Sequence, residues 1–146
     1  MILDIDVFKS INDRFGHDVG DAVICHVAGV CREEMLGFDI LARIGGEEFV
    51  LLLPETTGEQ AVTLAERVRQ RLEASPFVVD GADVRVTASI GVSEGGAPSE
   101  SIGDLMKRAD QALYQAKREG RNRVRLARRT LQHFADEAIA APAVAA

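Results

Sequence analysis

The chain opens on the apolar run Met1-Ile2-Leu3, which turns to alternation through Asp6. That pattern predicts a strand over residues 1–6. A short helix is expected over residues 8–15, ended by Gly16. From residue 18 to about 35, Ile24, Val27, Ala28, Cys31 and Met35 recur at helical spacing, and Gly37 closes the run. Two apolar stretches, 39–44 and 47–53, flank Gly45-Gly46, which predicts a tight hairpin with glycine supplying the positive φ of a primed turn. Pro54 stops the second strand. Thr57 and Gln60 form a capping box for a helix to about residue 74, with Ala61, Leu64, Ala65, Val68 and Leu72 inward. Residues 77–79 and 84–92 predict two further strands around Asp80-Gly81. Ser101 caps a helix reaching Glu119, with Ile102, Leu105, Met106, Ala109, Ala112, Leu113 and Ala116 inside. Gly120 ends it, and residues 124–126 can add a last short strand. The order β-α-α-β-β-α-β-β-α-β describes an α+β layer architecture.

Composition narrows the class. At 146 residues, 47% hydrophobic and 27% charged, the chain suits one domain with its own core, residues 1–126. The alanine-rich remainder, 127–146, is expected as an appended helix or tail. Disordered, collagen-like and disulfide-scaffold proteins are excluded. No apolar run reaches the roughly 18 residues of a membrane span, and no secretory signal opens the chain, so a cytoplasmic location is expected. Cys25 and Cys31 point about 240° apart on their helix and read as buried, unbridged thiols. The net charge of −6 argues against DNA as a partner. It hides an asymmetry: residues 107–129 carry nine Lys/Arg against two acids. A small anion could sit between such halves, with metal on the acidic side, although a solvated basic helix end gives the same count.

Three groups suggest chemistry: Asp4 and Asp6 at the end of the first strand, Glu47-Glu48 after the glycine pair, and Lys117 with Arg121 at the end of the basic helix. If the first strand lies beside the hairpin, Asp4 comes close to Glu47. Crowded carboxylates cannot all stay ionised without a cation, and hard oxygen ligands suit Mg²⁺ or Mn²⁺ shared with phosphates. Taken singly, each group has a plainer account. An acidic pair beside a turn is often solvated surface. Asp4 and Asp6 could complement a helix N-terminus, and Lys117 and Arg121 a helix C-terminus.

The strings decide between these accounts. Gly45-Gly46-Glu47-Glu48-Phe49 resembles the GGDEF signature in its GGEEF form. Residues 4–13 (DIDVFKSIND) resemble the family's first-strand motif, and FGHDVGD at 15–21 follows at family spacing. Residues 88–92 (ASIGV), 108–110 (RAD), 112–117 (ALYQAK) and 120–122 (GRN) resemble the later strand, the last helix and its exit. The resemblance covers residues 1 to about 126 and is to the GGDEF domain, the diguanylate cyclase family.

It implies a central, mostly antiparallel five-stranded sheet flanked by helices, in the nucleotidyl-cyclase and polymerase-palm style. It implies a diguanylate cyclase that condenses two GTP into cyclic di-GMP and two pyrophosphates across a transient homodimer. Asp4 and Glu47, with the Ile5 carbonyl, would bind Mg²⁺, and Glu48 would assist at the reacting centre or a second metal. Asn12 and Asp21 would read guanine, with His17 nearby. Lys9, Lys117 and Arg121, with the Val7 and Phe8 amides, would hold phosphates. Three departures qualify the match. The family's N-terminal helices are expected to be missing, because the chain begins inside the first strand. The inhibitory product site looks degenerate: Leu36 stands where the family has arginine, Asp39 is present, and Arg67 matches a secondary position. No regulatory domain is seen, so such a domain or a partner protein is expected to supply dimerisation. The alternative is a weakly active or inactive module that binds GTP or cyclic di-GMP at the active-site half-pocket and signals through a partner. A nucleotide cyclase making cyclic GMP is a more distant possibility.

Overall fold

A computed structural model describes residues 1–79, 81–96 and 100–127. The elements are β1 (Ile2–Ile5), α1 (Phe8–Phe15), α2 (His17–Glu34), β2 (Ile40–Gly45), β3 (Glu48–Leu52), α3 (Gly58–Ala74), β4 (Phe77–Val79), β5 (Ala82–Val84), β6 (Ala88–Val92), α4 (Ile102–Arg118) and β7 (Val124–Leu126). Five strands form one mixed sheet in the order β2-β3-β1-β6-β7. Its pairings are antiparallel except β6 with β7, which is parallel. β4 and β5 form a separate hairpin. The expected tail beyond residue 127 lies outside the described residues.

β1 is central and buried along its whole length, so its side chains serve two layers. Leu3, Ile5, Phe49 and Leu51 join Val23, Val27, Val68 and Leu72 in the larger core under α1, α2 and α3. Ile2 and Val50 meet Ala109 and Leu113 of α4 on the other face. Fully burying a Val, Leu, Ile or Phe side chain of this kind contributes about 1.5–3 kcal/mol. The inward stripe expected for α3 is the observed one, and its capping box is present: Thr57 N–H donates to Gln60 Oε1 at 2.9 Å, and Gln60 N–H to Thr57 Oγ1 at 3.3 Å. Ser101 caps α4 in the same way with Asp104.

α4 lies almost directly on β6. A Cβ at Gly91 would stand 2.0 Å from the Ala109 carbonyl oxygen and 2.4 Å from the Leu113 nitrogen. Buried Ala109, Ala112 and Ala116 permit this approach. The helix-to-sheet distance in turn fixes where the last turn of α4 ends.

Four local expectations change. The hairpin turn is Gly46-Glu47, not Gly45-Gly46, and neither glycine has a positive φ. A register shift between Arg43 and Gly45 closes the loop instead, and Arg43 Nε donates to the Gly46 carbonyl at 2.9 Å. Residues 84–92 are not one strand. Val84, Val86, Ala88, Ile90 and Val92 are all buried, as the sequence alternation expects, but from Ala88 to Val92 every residue is buried. The backbone nevertheless changes partner, from β4 at Val84 to β1 at Ala88. The first turns of α4 are not interior: Ile102 is exposed, and with Leu105 and Met106 it lines an apolar cleft of about 460 Å³. Of the cysteines only Cys31 is buried, because six residues on a helix turn Cys25 outward.

Candidate active site

Antiparallel pairing sets Asp4 of β1 directly opposite Glu48 of β3. Glu48 alternates with Val50, so both acids lie on the α4 face. Glu47 sits in the turn, where its carbonyl accepts the Ile5 N–H at 3.2 Å. The strand does lie beside the hairpin, and the residue across from Asp4 is Glu48 rather than Glu47. Asp4 is only 7% exposed. Burial raises its pKa above the ordinary aspartate range, Lys117 pulls it down, and the charges of Glu47 and Glu48 push it up again. Lys117, from the last turn of α4, reaches across to place Nζ 2.8 Å from Asp4 Oδ2.

The donor set is all hard oxygen, which suits Mg²⁺. Among the described residues no three His, Cys, Asp or Glu side chains converge into a closed metal cage. An ion that shares its shell with water and phosphates does not need one.

Past Asp4 the chain enters α1 through Val7 at φ 49°, ψ 32°. That is a strained conformation for a β-branched residue. Helix α1 has no acid in its first turn and, among the described residues, no side-chain cap, so no local carboxylate covers the amides at Val7 and Phe8. Asn12, one turn further on, is half-buried, and its Oδ1 is buried without a partner among the described residues. It faces α2 at Gly20, where a Cβ would stand 1.8 Å from that same oxygen. Asp21 follows Gly20 on α2 and is exposed.

The side chains of Lys9 and His17 are exposed and make no hydrogen bond or ion pair among the described residues. Arg121 follows α4 at φ 63° with its N–H on the Ala116 carbonyl at 3.0 Å, and its side chain is exposed. The residues matched to an inhibitory site are engaged locally. Asp39 Oδ2 accepts the Leu36 N–H at 2.7 Å, and Arg67 Nε donates to Glu34 Oε2 at 2.7 Å.

Asp6, singled out with Asp4 in the sequence, takes a different part from Asp4. Its carboxylate does not complement the α1 terminus but turns to β6 and to the loop after α4, where Ser89, Thr87 and Asn122 donate to it. Gly20 belongs to the string at residues 15–21, but no local pattern names its partner, since its value lies in a close approach between two helices.

The pattern of the diguanylate cyclase GGDEF domain matches residues 1–123. The chain belongs to that family. A relative from Treponema denticola, diguanylate cyclase A, is 43% identical over 131 residues, covering 90% of this chain and 35% of its own length. The chain thus spans about a third of that relative. Among solved structures, the active GGEEF domain of a diguanylate cyclase from Vibrio cholerae superposes with a TM-score of 0.81 at 42% identity, covering 88% of this chain and 81% of that one. The GGDEF domain of DgcB from Caulobacter crescentus, in complex with c-di-GMP, also gives 0.81, at 39% identity over 86% and 75% of the two chains. The five-stranded mixed sheet is therefore the family's sheet. No helix among the described residues is long and apolar enough to cross a membrane.

Proposed function

We propose that this domain is a diguanylate cyclase: it condenses two GTP into cyclic di-GMP and releases two pyrophosphates across a transient pair of domains. The observation that carries the reading is Asp4, a buried carboxylate with Glu48 opposite, Glu47 nearby and the Lys117 ammonium in contact. Asp4, the Ile5 carbonyl and Glu47 hold Mg²⁺ or Mn²⁺, with Glu48 assisting at the reacting centre or a second ion. A divalent ion there supplies charge stabilisation at phosphoryl oxygens.

The remaining roles belong to the chain's own groups. Asn12 Oδ1, buried and unpartnered, accepts from the guanine edge, and Asp21 accepts beside it. His17, exposed at the start of α2, borders the same pocket. The open amides of Val7 and Phe8 meet phosphate at a helix start. Lys9, Lys117 and Arg121 add cations. In the reaction the 3′-oxygen of one GTP bonds to the α-phosphorus of the other, its proton departs, and the bond from Pα to the bridging oxygen breaks to free pyrophosphate. The second phosphodiester forms in the same way. Each half-site holds one GTP, so in-line geometry requires two domains face to face.

The reading draws support from the family match and from diguanylate cyclase A, and the c-di-GMP complex of DgcB supports binding of the product. A regulatory domain or partner protein would raise the rate by holding two domains together. Binding of the α,β-methylene analogue of GTP with Mg²⁺, followed by calorimetry, tests the site. Asn12→Ala and Asp4→Ala should each weaken it at least tenfold, and unchanged affinity in both would refute the assignment.

A further inference from the structure

We propose that Asp6 is a positioning residue that holds the Arg121 turn in place for triphosphate. This rests on the phosphate role proposed for Arg121.

Asp6 is only 3% exposed, yet it makes no ion pair among the described residues. A buried carboxylate without a cation is costly unless hydrogen bonds replace its water. Here three neutral donors do so. Ser89 Oγ donates to Oδ1 at 2.6 Å, and Thr87 Oγ1 and the Asn122 N–H donate to Oδ2 at 2.8 and 3.0 Å. The Asp6 N–H itself donates to the Thr87 carbonyl at 2.9 Å. One side chain therefore ties together the end of β1, the start of β6 and the exit from α4.

The exit from α4 is the part that needs holding. Gly120, Arg121 and Asn122 have φ of 114°, 63° and 44°, three positive values in succession, two of them at residues with a Cβ. Such a turn persists only where its surroundings over-determine it. The Asn122 side chain is tied as well: Arg69 NH1 donates to its Oδ1 at 2.9 Å, and its Nδ2 donates to Glu73 Oε1 at 2.8 Å. Everything around Arg121 is anchored, while its own guanidinium is exposed and unpaired among the described residues. The same strand end also meets α4 through Asp4 and Lys117. Two aspartates two residues apart thus set two of the three cations of the proposed phosphate clamp, one by direct contact and one through the backbone of the next residue.

A double-mutant cycle tests this with the α,β-methylene analogue of GTP, which cannot lose pyrophosphate. Arg121→Ala should weaken binding about tenfold, as expected for a lost charge-assisted contact. Asp6→Asn should weaken it about fivefold in the wild-type background and add nothing in the Arg121→Ala background. Ser89→Ala keeps the carboxylate and its charge; it should give a smaller loss, about threefold, which also vanishes without Arg121. It serves if Asp6→Asn does not fold. Losses that add in full to Arg121→Ala overturn the inference and leave Asp6 a structural staple. So does unchanged binding in Asp6→Asn while Arg121→Ala is impaired. If Arg121→Ala binds normally, the phosphate role of Arg121 falls and takes the inference with it.

Discussion

Lys117 Nζ lies 2.8 Å from Asp4 Oδ2, joining the end of α4 to the central strand of the sheet. Asp4 is buried while the Lys117 side chain is one-third exposed, at 33%. The pair therefore falls between a surface bridge and a buried one. Removing the ammonium by Lys117→Met should destabilise the metal-free domain by about 1–2 kcal/mol, because the carboxylate loses the one cation that contacts it among the described residues. Added Mg²⁺ should recover more stability in the variant than in wild type. Thermal unfolding with and without Mg²⁺ reads both effects.

Gly20→Ala should disable the proposed guanine pocket. The new Cβ would displace Asn12 Oδ1, 1.8 Å away, and press on the Phe8 ring at 3.2 Å. The expected cost is about 1–3 kcal/mol of stability from overpacking. Discrimination of GTP over ATP should be lost, as competition binding would show.

Gly91→Ala should be more severe, because its obstacles are backbone atoms of α4 at 2.0 and 2.4 Å. No rotamer change relieves them. A stability loss of more than about 3 kcal/mol is expected, measured by urea unfolding.

Burial pushes the Cys31 thiol up from 9.0 to about 12. Its folded pKa is raised, so the stability it contributes is complete below pH 9 and is lost as pH climbs towards 12. Near pH 10.5 the loss should be about 2 kcal/mol. Cys31→Ala begins less stable, from its cavity, but should have a flatter pH profile over that window. At neutral pH a thiol reagent should titrate Cys25 alone until the protein unfolds.

Much of this was legible in the sequence where one signal governed one element. The stripe of α3 and its Thr57–Gln60 box were both readable, because helical period and capping are local. The proposed site was legible as strings whose members sit on β1, α1, α2, the β2–β3 hairpin and the end of α4. What remained hidden was set by tertiary contact. Val84 and Ala88 share one alternation but pair with different strands. The Gly45-Gly46 pair suggested a primed turn, while the observed loop is closed by a register shift and Arg43. Asp6 and Gly20 carry no local pattern that announces their partners, which lie across the fold or on the next helix.

Product inhibition should be weak at the face bearing Leu36 and Asp39. Leucine offers no bidentate contact to phosphate or guanine, Asp39 is engaged with the Leu36 N–H, and Arg67 with Glu34. Cyclic di-GMP should compete with GTP, and its affinity should be unchanged by Asp39→Ala. Tight binding that Asp39→Ala abolishes would show an inhibitory site at that face.

The most direct test is to incubate the domain with GTP and Mg²⁺ over a range of protein concentrations and identify the nucleotides by chromatography. Cyclic di-GMP and pyrophosphate are expected, at a rate that rises with about the square of domain concentration and is abolished by Glu47→Gln and Glu48→Gln. Cyclic GMP as product, a rate merely proportional to protein, or GTP bound without turnover at any concentration would contradict the proposed function.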